Sequence, residues 1–347
     1  LIGDLAKIED ILVISRNSVF TYKGKTVKIK DVATELNVRY VLEGSVQRAG
    51  NRLRIRAQLI DGQTDHHVWA ESYDGDGTMD NIFELQDEIT NKIVSALAIT
   101  LSSSERERVG DKGTDNIMAY EAFLKGREHF FNLTPKDFVK AIEYYKQAVK
   151  FDPDFSRAYA AIGIVSQIGG NLNWSEKMGG DPATNRLLAR KYLELGMKNP
   201  TFEAYNLYAA KEIHRRNFRK SEAFAQKALE YAPNSSEGLR WLAFILAFTG
   251  RPEESIECYH KAIRLDPFDK SLNTPVSNVF IGINHFSMGN LEEAITYLER
   301  ALSLNPKFTN FSCFLAASHA LLGHDMEAKK ALAQYLKLQP EWLTPTI

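Results

Sequence analysis

Cysteine is nearly absent from this chain: 347 residues hold two, Cys258 and Cys313. One pair cannot make a disulfide framework, so the fold must rest on buried apolar surface, and both thiols read as small core residues. Long apolar runs are lacking as well. Nowhere do about 18 apolar residues follow one another, which excludes a membrane-spanning helix from this sequence. Neither sign of charge prevails: the formal net charge is -1, so no global field draws the chain to nucleic acid or to an anionic membrane. The chain begins at Leu1 without Met, and no charged stretch leads into an apolar core, so no signal peptide is visible and a longer upstream sequence is expected.

Signatures of catalysis are missing too. There is no G-x-S-x-G elbow, no dinucleotide fingerprint and no H-E-x-x-H pair. "GKT" at residues 24–26 lacks the Gly that a phosphate loop needs five residues earlier, where Val19 stands, and reads as an exposed turn. "YDGDGTMD" at residues 73–80 has no calcium-loop register and reads as a strand-to-helix connection. His66 and His67 are adjacent on a strand and face opposite ways. Cys258 and His260, in "SIECYHKAIRLDP", lie about 200° apart on a helix and cannot share a ligand. No catalytic residue, metal or cofactor is expected.

What the sequence does hold, from Tyr120 on, is a helical pattern punctuated by Pro153, Pro200, Pro233, Pro267, Pro306 and Pro340, spaced 47, 33, 34, 39 and 34 residues apart. A period near 34 with loop insertions marks a helical-hairpin solenoid, each proline stopping a helix that it cannot continue. Counting back from the prolines finds small residues in register: Ala141 and Ala148, Ser221 and Ala228, Ser255 and Ala262, Ala294 and Ala301. Between them stand Tyr145, Ala225, Tyr259 and Leu298. Small side chains admit close helix approach, and the residue between them fills the groove.

Ahead of the solenoid the periodicity is different. Residues 11–15, "ILVIS", read as a buried strand and residues 30–37 as a short helix. Residues 39–61 read as two alternating strands joined by a turn at 49–51, and residues 66–74 as a third. Asp80 is placed to cap a helix with an apolar stripe of Ile82, Leu85, Ile89, Ile93, Leu97 and Leu101. The expected architecture is an α/β amino-terminal domain, a mixed sheet with helices, over residues 1–101. A polar hinge follows at 102–116, then an all-α solenoid at 117–347. Arg52, Arg54 and Arg56 share one strand face, which either grips an anion or acidic partner or is the solvated face usual in antiparallel sheets.

On these residues the solenoid resembles tetratricopeptide repeats, six over residues 120–343. Ile162-Gly163, Leu242-Ala243 and Ile281-Gly282 stand where that family has a Leu-Gly-like pair. The second repeat departs most: "GGNLNWSEKMGGDPAT" intrudes between its helices, and Gly196 replaces the second Ala. The first part, through "SRNSVFTYKGK", "RYVLEGSVQRAGNRLRIRAQLID", and "WAESYD" followed by "IFELQDEI", resembles the TolB-like amino-terminal domain. That domain precedes such repeats in bacterial class III adenylate/guanylate cyclases and in some winged-helix regulators. It normally starts with a further strand and a "GD" loop, so the sheet is expected to be one strand short.

The resemblance implies a non-catalytic interaction and regulatory module of a bacterial signalling protein, whose first helices line a concave surface for a protein or peptide. By register the lining residues are Tyr120, Phe123, Arg127 and Phe130 in repeat one, and Asn206 and Ile213 in repeat three. Repeat four adds Arg240 and Phe244, and repeat five Val279, Ile283 and Phe286. Any one of these can instead pack the superhelix. The Lys and Asn pattern by which some relatives hold a carboxylate terminus is not visible. Two alternatives place a cyclase catalytic domain or a winged helix upstream. Bacterial cytoplasm and periplasm both fit. No nucleic acid or membrane is expected to bind, and Leu332, Leu336 and Trp342 in the last repeat suggest association between copies.

Overall fold

The computed structural model describes residues 1–50, 52–75, 79–132, 134–269 and 273–337. Three short helices open the chain, α1 (Ile2–Leu5), α2 (Arg16–Val19) and α3 (Ile29–Glu35). Strands β1 (Tyr40–Ala49), β2 (Arg52–Asp61) and β3 (His66–Gly75) follow, then α4 (Met79–Ala96) and α5 (Ser103–Gly110). The remaining helices come in pairs: α6 (Ile117–Phe130) with α7 (Pro135–Phe151), α8 (Ser156–Asn171) with α9 (Pro182–Gly196), and α10 (Phe202–His214) with α11 (Phe218–Tyr231). After them stand α12 (Ser236–Phe248) with α13 (Pro252–Leu265), α14 (Asn273–Ser287) with α15 (Leu291–Leu304), and α16 (Ser312–Leu321) with α17 (Asp325–Leu336). The fold is thus a small α/β part followed by a helical-repeat solenoid. By its contacts the chain forms two compact units: Leu1–Ile11, Gly24–His214 and Ala223–Pro233 in one; Leu12–Lys23, Arg215–Glu222 and the chain from Asn234 in the other.

The sheet is an antiparallel meander in the order β1-β2-β3. Alternation along β2 buries Leu53, Ala57 and Leu59 and exposes Arg52, Arg54 and Arg56, as period-two geometry demands. Gly50, at φ 59°, allows the tight β1–β2 turn, whose Asn51 lies outside the described residues. Helix α4 packs on β3 through buried Leu85, Ile89 and Ile93, with Lys92 on Glu71 at 3.1 Å. The side chains of Asp80 and Ile82 are outside the described set. Leu97 and Leu101 fall past the end of α4, because Ala98 takes φ 54° and breaks the helix.

Residues 11–15 are not a strand, and the sheet is antiparallel rather than mixed. Their backbone does not enter the ladder: the Ser15 N–H donates to the Leu265 carbonyl at 2.7 Å, and the Ser15 hydroxyl caps α2. Residues 102–116 hold α5, started by a capping box in which the Ser102 hydroxyl and the Glu105 carboxylate each take the other's backbone N–H.

In the solenoid the first five stop prolines fall just past α7, α9, α11, α13 and α15, and Pro340 lies outside the described residues. The small residues of the seam are buried without exception: Ala141, Ala148, Ser221, Ala228, Ser255, Ala262, Ala294 and Ala301, with Tyr145, Ala225, Tyr259 and Leu298 between them. Facing helices approach so closely that a Cβ on Gly126 would lie 2.5 Å from Tyr145 Cε1, and one on Gly282 2.8 Å from Leu298 Cγ. The second hairpin absorbs its insertion by turning Trp174 edge-on to Phe138, centroids 5.3 Å apart.

Candidate docking surface

Packing each second helix on its own first helix leaves the other side of the first helices to be covered or used. In the unit that holds α6, α8 and α10, that side is polar. Phe123 is 1% exposed, among the rings of Tyr145 and Phe155, and so belongs to the core rather than to a surface. Tyr120, Arg127 and Phe130 are half-buried, Phe130 stacking on Phe138. Sequence reasoning missed the two residues that organise this face. Arg157, at the start of α8, lies with its guanidinium 4.9 Å from the Phe123 ring centre and donates from Nε to Glu203 Oε1 of α10 at 2.7 Å. They stand six residues before Gly163 and Ala209, as Tyr120 stands six before Gly126, and that register was the available signal.

The electrostatics follow from this pair. Burial opposes the charge on Arg157, but Glu203 outweighs it and holds the guanidinium above its ordinary value. Burial likewise opposes ionisation of Glu203, yet Arg157 prevails and keeps that carboxyl low. Arg127 fares differently: burial first, and the Arg157 charge second, push it down. Asn206, next along α10, is 2% exposed and neither end of its carboxamide has a partner. Ile213 is half-buried about two turns further along the same face of α10.

In the unit that holds α12 and α14 the corresponding side is aromatic. Phe244 has centroids of Phe248 at 4.7 Å, Phe280 at 5.0 Å and Trp241 at 6.2 Å around it. Phe248 is exposed, and Ile283 and Phe286 are half-buried, Phe286 edge-on to Phe314. Val279, 1% exposed, packs the core with Leu298 and Leu315 and is not on the surface. Arg240 is half-buried, pushed down by burial against the pull of Glu237, Asp266 and Asp269.

The arginine stripe on β2 is exposed, but it is not free of carboxylates as its own strand suggests. Cross-strand register places Asp74 of β3 opposite Arg54, and the two join at 2.6 and 3.1 Å. Cys258 and Cys313 are half-buried, and burial pushes both thiols up. His260 meets Tyr297 at 3.4 Å. Among the described residues, no group of three or more His, Cys, Asp or Glu is placed to hold a metal, and no helix is long and apolar enough to cross a membrane. In the last hairpin Leu321, Met326 and Leu332 are exposed and Leu336 is half-buried, while Trp342 lies outside the described residues.

Residues 234–307 match the tetratricopeptide repeat family model. A curated relative, "Putative adenylate cyclase 3" of Rhizobium meliloti (strain 1021), is 42% identical over 166 residues, 48% of this chain and 28% of the relative. The chain therefore accounts for under a third of that protein's length. Among solved structures, Pseudomonas aeruginosa PilF is similar at 14% identity and a TM-score of 0.46, over 64% of this chain and 94% of that one. The Cut9–Hcn1 hetero-tetramer of the APC/C gives 14% and 0.49, over 74% and 50%. YrrB, described as a repeat protein with an unusual peptide-binding site, gives 15% and 0.37, over 56% and 92%.

Proposed function

We propose that this chain is a docking and regulatory module of a bacterial signalling protein, which takes a peptide or protein partner on the first helices of its repeats. One observation carries the reading. The seam residues are fully buried, while Tyr120, Arg127, Ile213, Phe244, Ile283 and Phe286 on the first helices stay half-exposed. Half-exposed aromatics beside arginine are the residue types that supply most interface energy. Helical-repeat folds of this kind are generally non-catalytic, which supports a binding role. The division into an α/β domain at 1–101, a linker and the repeats at 117–347 belongs to the same proposal. To test it, peptides from a random display library are selected on the intact chain. Binders that lose at least about tenfold in affinity with Phe244→Ala or Phe286→Ala are expected. No binders, or binders indifferent to both changes, overturn the reading.

A second reading is favoured by the cyclase-named relative: this module is the regulatory part of a class III cyclase whose catalytic domain is encoded upstream. This chain on its own is expected to form no cyclic AMP from ATP. Measurable turnover would make it catalytic and remove the module reading.

A further inference from the structure

We propose that His319 and His324, at the corner between α16 and α17, form a two-histidine site for a divalent transition metal of the zinc, nickel and copper class. Backbone geometry brings the two together. Helix α16 ends in a Schellman turn: Gly323 takes φ 77°, its N–H donates to the Ala320 carbonyl at 3.1 Å, and the His324 N–H donates to the His319 carbonyl at 2.9 Å. Both imidazoles therefore leave the same hydrogen-bonded turn. His319, in the last turn of α16, is 8% exposed, whereas His324 is exposed at the N-cap of α17. One ligand is thus fixed by its surroundings, and the other leaves the site open to an ion from solvent.

The spacing of the rings is a second, independent observation. Their Nδ1 atoms lie 3.4 Å apart, beyond the usual range of an N–H hydrogen bond, so any hydrogen bond between them is weak. The same gap suits chelation. A metal about 2.05 Å from both nitrogens, the usual zinc-to-imidazole distance, sees them about 110° apart, the tetrahedral value. Imidazole is a good ligand for Zn²⁺, Ni²⁺ and Cu²⁺, whereas Mg²⁺ and Ca²⁺ prefer oxygen. Charge at the corner also favours a cation: the carboxyl end of α16 carries partial negative charge, and Asp325 and Glu327 follow in the first turn of α17. Among the described residues no larger set of His, Cys, Asp or Glu forms there, so water takes the remaining positions. The bound ion ties the last turn of α16 to the start of α17 and so stiffens the last hairpin.

Calorimetric titration of Zn²⁺ and of Ni²⁺ into the intact chain, after chelator treatment and dialysis, tests the site. Both ions are expected to bind, Mg²⁺ should give no heat, and bound Cu²⁺ should show a paramagnetic resonance spectrum split by two nitrogens. His324→Gln changes an exposed side chain and keeps the backbone bond of the turn. It is expected to weaken Zn²⁺ binding at least about tenfold, and His319→Gln to do the same. His66→Gln, on an exposed part of β3, should leave the affinity unchanged. Saturating Zn²⁺ should raise the unfolding midpoint of the unaltered chain by at least about 2 °C, and that of His324→Gln by less. No ion bound by the intact chain, or Zn²⁺ binding and thermal shift equal in the unaltered chain and in His324→Gln, overturns the site.

Discussion

The two compact units each have the same kind of helical seam and carry different residues on their first helices. Tyr145 lies between Ala141 and Ala148 in one, and Tyr259 between Ser255 and Ala262 in the other, all buried. Against that sameness, the first helices of one unit carry Arg127, Arg157, Glu203 and Asn206, and those of the other Trp241, Phe244, Phe248 and Phe280. The seam tolerates little variation because backbones that approach this closely admit only small residues and one matched filler. The opposite side is under no such constraint, so its chemistry is free to follow a partner.

The comparison breaks most visibly at the fillers. Tyr145→Ala and Tyr259→Ala are each expected to cost about 3–5 kcal/mol in urea unfolding of the intact chain, since both remove a buried ring from a close-packed groove. A cost below about 1 kcal/mol at either one means that the two seams are not equivalent. Next come the small residues. Ala262→Leu should cost about 1–3 kcal/mol by overpacking, and a neutral result would place Ala262 off the seam.

Charge sharpens the contrast through pH. Hydrogen bonds from Thr134, His129 and Asn132 hold the Asp137 carboxyl below the usual range, so its contribution is complete above roughly pH 4 and fades as acid protonates it. Asp266 has the opposite sign. Burial raises its carboxyl despite hydrogen bonds from the Ser15 and Ser18 hydroxyls, so its contribution is present in acid and lost as pH rises through the folded-state value. Unfolding followed across this range should lose its acid-side decline in part with Asp137→Asn and its loss on raising pH in part with Asp266→Asn. The smallest effect is expected on the sheet. Arg54→Ala removes an exposed pair with Asp74 and should leave the unfolding midpoint unchanged, so a measurable fall would show that the stripe is structural.

The parts of the fold that were legible are those with local periodicity. The three strands appear from alternation in residues 39–74, and the seam appears from small residues counted back from each proline. The strand read at residues 11–15 failed because a short apolar run is ambiguous without a pairing partner, and Ser15 pairs with Leu265 instead of a strand edge. Phe123 and Val279 were read as lining because register alone cannot tell which flank of a first helix its neighbours cover. The pairing of Arg54 was not legible because its carboxylate, Asp74, sits 20 residues away on another strand.

The sequence alone determined the hairpin repeat and the absence of catalytic motifs, because helix period, stop prolines and small seam residues act over a turn or two of chain. Only the tertiary structure decided that Arg157 meets Glu203 across 46 residues and that, among the described residues, the Asn206 carboxamide is buried without a hydrogen-bond partner. Which charges meet depends on which helices stack, and Coulomb forces read distance in space, a quantity that spacing along the chain does not encode.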